Sequence, residues 1–175
     1  MLAFPQLLPR AVGFGAGLLA CALVFYSAAG ALWGLNRPRL TGHATPTVNG
    51  GAQIAIDTVA NVQFASFGWF VILTAVPALA LGLLAFARGR DSRGVAMLLW
   101  SGAVALAGAA AFYVFGSATA PELEPGARGA ISWVPAFSPG VGFAAAPLAA
   151  MTSYWSAAFV SAESAWPATA PAQPS

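Results

Sequence analysis

The segment Ala87-Arg88-Gly89-Arg90-Asp91-Ser92-Arg93-Gly94 holds three of the chain's seven arginines and divides two long uncharged runs. Thr58 to Ala87 and Gly94 to Pro121 contain no Asp, Glu, Lys, Arg or His. A membrane-spanning helix needs roughly 20 predominantly apolar residues, and both runs exceed that. Joined by a tight, Arg-rich, Gly-containing link, they read as a transmembrane hairpin. Short basic links of this kind are usually held on the cytoplasmic side. Composition agrees: 7% of residues are charged, against roughly 25% in a soluble domain, and mean hydropathy is +0.76. The pI of about 9.2 rests on a net charge of +2 without a basic patch. Nucleic acid is therefore set aside as a partner, and the charge is read as an orientation signal.

The remaining apolar segments extend the hairpin to an all-α integral membrane protein with four transmembrane helices. These are expected at about 11–35, 60–87, 94–115 and 138–162, in one domain spanning 1–162. Ala11–Leu35 also fits a signal peptide, with Ala29-Gly30-Ala31 as cleavage site, but it is longer than the roughly 7–15 residues of an h-region. A spanning helix is the better reading. Pro77 and Pro147 fall inside helices two and four and are expected to kink them. Ser138-Pro139 is a helix-start signal, with Ser as N-cap and Pro at the first helical position. Gly13/Gly17, Gly30/Gly34 and the set Gly102, Ala105, Gly108 and Ala109 would let helices approach backbone to backbone. The Pro/Ala-rich tail at 163–175 is expected to be disordered.

Two polar connections remain, Asn36–Val59 and Gly116–Phe137. In the first, Asn49-Gly50-Gly51 lies between β-capable pieces at Thr45–Val48 and Gln53–Ile56, which predicts a small β-hairpin. Two strands are marginal in water, so the hairpin must lean on the membrane domain or on a partner. Pro121, Pro125 and Pro135 exclude a long helix from the second. With both termini cytoplasmic, Arg10, Arg88, Arg90 and Arg93 lie inside and Arg37, Arg39 and Arg128 outside. Trp33, Trp133 and Tyr113 then belong to an outer aromatic belt, and Trp100, Trp155 and Trp166 to an inner one.

Little catalytic chemistry is available. No predicted span carries an ionisable residue in its interior, which disfavours a carboxylate-driven antiporter. His43 and Cys21 are the only His and Cys, so bis-His haem, a zinc site and a CxxC thiol centre are not expected. No cofactor and no metal is called for. His43, Asp57 and a Ser or Thr are triad residue types, but no motif sets their spacing. The charged groups of the connections are Arg37, Arg39, His43, Asp57, Glu122, Glu124 and Arg128. They form a candidate partner surface on which the two connections pack together, joined by an arginine–carboxylate contact.

Several of these residues resemble a family of small actinobacterial four-helix membrane proteins known only as a domain of unknown function. They are Gly30-Ala31-Leu32-Trp33, Phe64 and Phe67, the Arg-rich link, Pro135-Ala136-Phe137-Ser138-Pro139, and Pro147-Leu148. The resemblance covers roughly residues 11–159 and implies no catalytic residues. The functional expectation is a non-enzymatic structural or accessory protein of the cell envelope, in the bilayer with other membrane proteins or with itself. A small transporter or pore is the alternative, and a lipid-acting enzyme a distant third. Orientation is directly testable: in a background without Cys21, a cysteine at Ser92 should be shielded from an impermeant thiol reagent in intact cells, and one at Thr47 labelled. The reverse pattern would invert the topology.

Overall fold

A computed structural model describes residues 10–46, 52–123 and 129–164. The expected Asn-Gly-Gly turn and the tail beyond residue 164 lie outside them. In chain order the elements are α1 (Arg10–Leu35), β1 (Leu40–Pro46), β2 (Ala52–Ile56), α2 (Val62–Arg88), α3 (Val95–Ala118), β3 (Gly129–Trp133) and α4 (Ala145–Ser164). Short 3-10 turns cover Arg90–Ser92 and Gly140–Ala144. Four stretches, Val12–Leu35, Val62–Arg88, Val95–Ala118 and Gly140–Ala162, are long and apolar enough to cross a membrane. The chain is thus built as a multi-pass membrane protein. The strands lie together at one end of the bundle, and the basic link at the other.

Main-chain and capping chemistry explains the boundaries. Asn61 accepts a hydrogen bond from the Phe64 amide at 2.9 Å and caps α2. At the link, the Arg93 guanidinium donates to Phe86 O at 3.0 Å and stacks 3.9 Å from the Phe86 ring. The Gly94 amide donates to the Tyr154 hydroxyl, which ties the link to α4. Gly94 has φ +148°, a conformation that side-chain-bearing residues rarely adopt.

Pro77 does sit within α2. It removes the donor for Leu73 O and crowds that turn. Next to it, the Tyr26 hydroxyl of α1 donates to Thr74 O at 2.8 Å, and Thr74 Oγ1 donates to Phe70 O. Pro147 differs from expectation. Residues 140–144 form a 3-10 turn, so Pro147 falls in the first turn of α4, where its missing N–H has no partner to lose. It thus lies at the start of α4 and not in its interior, and Ser138 makes no side-chain cap.

α1 packs chiefly on α3 and α2 chiefly on α4, with α3 joining the two pairs. The core is Tyr26, Phe70 and Phe112 among Ala78, Ala85, Ala105, Ala109, Ala146 and Ala150. Side chains such as Val24, Leu32, Ile72, Leu106 and Leu148 point outward. Lipid is as apolar as these side chains, so association rests on close contact at small residues. A Cβ on Gly30 would strike the Phe112 carbonyl, one on Gly34 the Gly116 carbonyl, and one on Gly82 the Ala150 carbonyl. Gly13 and Gly17 meet nothing within 4 Å, so only the second of the two α1 glycine pairs is a contact.

The sheet is where the fold goes beyond the expected hairpin. Strand order is β2-β1-β3, antiparallel throughout. β3 comes from the second connection and pairs Leu40 with Trp133 through Ala44 with Gly129. The first strand also starts earlier than expected, at Leu40. For helix packing, Gly30→Ala should lower stability by about 1–3 kcal/mol through forced separation of α1 and α3. Gly17→Ala should be neutral or gain up to about 1 kcal/mol of helix propensity. Thermal unfolding in detergent reads the contrast in sign.

Candidate functional site

α1 stops at Leu35 because Pro38 cannot continue it. Its last carbonyls find other donors: Asn36 Nδ2 binds Leu32 O at 2.8 Å, and Arg39 Nη2 reaches Leu35 O at 3.4 Å. This ending places Arg37 above Trp33. The Arg37 guanidinium carbon lies 5.0 Å from the Trp33 ring centre and 4.6 Å from that of Phe137. Nη2 donates to Pro135 O at 2.9 Å. Arg37 is only 4% exposed. Below it, Trp33, Phe70, Phe112, Tyr113, Phe137 and Phe143 form a continuous aromatic cluster, with ring centres 5.2–6.5 Å apart. Arg37 is therefore the point where α1 and both connections meet.

The electrostatics of this point are unusual. No carboxylate pairs with Arg37 among the described residues, and its Nε is buried without an acceptor. Burial lowers its pKa from the usual value, an effect that Tyr113 opposes. An arginine starts so high that it stays charged. Arg37 lines a cavity of about 350 Å³ shared with Tyr113, Ser117 and Glu122. The Tyr113 hydroxyl donates to Phe137 O at 3.1 Å, which holds one wall in place.

The sheet has two faces. Leu40, Gly42, Ala44, Ile54, Ile56, Ile131 and Trp133 alternate onto one, by register. Thr41, His43, Thr45, Gln53 and Ser132 alternate onto the other. On the polar side, His43 Nδ1 lies 2.6 Å from Asp57 Oδ2, and the Thr41 and Thr58 hydroxyls are 2.9 Å apart. No hydroxyl hydrogen-bonds His43 among the described residues. On the apolar side, Ala44 and Ile131 are buried, but Ile54 and Ile56 on the edge strand β2 are 40% and 58% exposed.

The charged residues of the connections that are described are thus dispersed. His43 and Asp57 form a pair within the first connection. Arg39 and Glu122 are exposed, and Glu124 and Arg128 lie outside the described residues. The two connections do pack on each other, and among the described residues they are joined by strand pairing and by Arg37 on a carbonyl and two rings, with no arginine–carboxylate contact. Arg37 is a buried strut, and Trp33 is a core residue at 8% exposure, not a belt anchor. Sequence reasoning passed over β3, although Gly129-Ala130-Ile131-Ser132-Trp133 carries the alternation of a half-buried strand. It also missed Phe137 and Pro135 as partners of Arg37. No metal-binding group of His, Cys, Asp and Glu occurs among the described residues.

No protein-family model matches the chain, and neither the curated proteins nor the solved structures contain a match. The geometry alone carries the functional argument. It predicts that Arg37→Ala lowers stability by about 2 kcal/mol, from lost cation–π contacts and a charge-assisted hydrogen bond. Arg39→Ala at the exposed position should change it by less than about 0.5 kcal/mol. Parallel thermal melts distinguish the two arginines.

Proposed function

We propose that this chain is a non-enzymatic accessory or structural protein of the cell-envelope membrane, whose sheet docks another membrane protein or a second copy. The observation that carries the reading is the overhang of the sheet's apolar face. Gly42, Ala44 and Ile131 at its centre are buried, whereas Ile54 and Ile56 on β2 are exposed and, among the described residues, the outer edge of β2 has no strand beside it. Unlike the exposed apolar residues of the helices, these lie beyond the spans, so a lipid-facing role does not account for them. An open strand edge with an apolar face suits strand addition or close apposition by a partner.

In this reading the sheet is extracytoplasmic and both termini are cytoplasmic, as the arginine distribution favours. The likeness to small actinobacterial four-helix membrane proteins belongs to the same proposal. A pore is less well supported. The aromatic cluster fills the sheet end of the bundle, and Pro147 does not break α4. Ile54→Lys combined with Ile56→Lys should abolish co-purification of the partner, or self-association, at unchanged protein level. The control Val24→Lys on the lipid-facing side of α1 should impair insertion instead. Retention of the partner by the double variant would contradict the proposal.

A further inference from the structure

The cavity between the end of α3 and the segment after β3 contains a positive charge for which the described chain supplies no counter-ion. The faces of the Arg37 guanidinium are taken by Trp33 and Phe137, and one edge by the neutral Pro135 carbonyl. Nε remains buried without an acceptor. Burying a charge against neutral groups alone is unfavourable, and an oxyanion would supply the charge-assisted, forked pairing that arginine favours. The cavity's position adds a second constraint. It lies where α1 ends at Leu35 and α3 at Ala118, both limits of apolar spans, the level at which a helix of that length would meet lipid head groups. Its walls are of two kinds: Ser117 and Tyr113 present hydroxyl-bearing side chains, and Leu123 and Val134 are apolar.

We propose that this cavity is a binding site for a phosphate-bearing amphiphile. The phosphate oxygens accept from Arg37 and Ser117, and the organic part lies along Leu123 and Val134. Glu122 shares the cavity but is exposed and unpaired among the described residues. Its carboxylate disfavours heads of high negative charge and so favours a phosphodiester over a doubly charged monoester. The proposal is independent of what docks on β2.

The test is titration calorimetry on the full chain in a non-ionic maltoside detergent. The probes are dihexanoyl phosphatidylglycerol and inorganic phosphate. Saturable binding of the lipid is expected, weakened about tenfold by Arg37→Gln, the equivalent of losing one charge-assisted pair. Ser117→Leu, which fills the cavity and leaves Arg37 in place, should weaken it similarly. Glu122→Gln, at an exposed position, should strengthen it about threefold. Failure of inorganic phosphate at equal concentration to compete is the result expected of a site for an amphiphile, and full competition would overturn that assignment. If Arg37→Gln does not fold, Ser117→Leu and Glu122→Gln carry the test. Isotherms unchanged by the variants, or no saturable binding of either probe, would overturn the proposal.

Discussion

Helices in lipid gain nothing from merely hiding apolar side chains from one another, so their backbones must come close enough for dispersion and polar contacts to hold them. In this chain glycine meets that constraint. Gly30 and Gly34 of α1 lie against the Phe112 and Gly116 backbone of α3, Gly82 of α2 lies against Ala150 of α4, and Gly108 of α3 leaves room for the Tyr26 ring. These contacts set which helices pair. The pairing brings Trp33, Phe70 and Phe112 to one level, where their rings make a floor. Arg37 stands on that floor.

Arg37 also links the membrane part to the sheet. It lies between the last turn of α1 and the first residue of β1, and its contacts reach the segment between β3 and α4. A hairpin of β1 and β2 alone would be marginal. With β3 added, β1 has a partner on each side, and its inward residues Gly42 and Ala44 are covered. The cost falls on β2, which is left at the edge with isoleucines exposed. One arrangement therefore accounts for the cap's cohesion and for the open edge.

The spans were legible because length and absence of charge are properties of a contiguous segment. The Gly30/Gly34 contact and the hairpin were legible for similar reasons, being local patterns. What escaped was nonlocal. β3 is five residues long and pairs with a strand almost ninety positions earlier, and the prolines around it read only as helix breakers. Trp33 at a helix end suggested an interface anchor, but Phe112, Phe137 and Arg37 cover it. Arg37 reads from the sequence as part of a partner surface because nothing in its neighbourhood along the chain announces the two rings that enclose it. Pro147 was assigned to a helix interior because the 3-10 turn before it has the same apolar composition as the helix.

The central claim is that the two connections form one sheet. It can be tested by pairing Thr41→Cys on β1 with Ser132→Cys on β3 in a Cys21→Ser background. These residues are register partners, and opposed residues in antiparallel strands lie about 4.5–5.5 Å apart at Cα, within disulfide reach. Mild oxidation of the purified protein, followed by mass spectrometry of proteolytic fragments, reads the bond. The account predicts a disulfide between residues 41 and 132 in the folded protein. If that pair stays reduced while a Thr45→Cys and Gln53→Cys pair in the β1–β2 hairpin oxidises, the first connection holds only a hairpin and the shared sheet is wrong.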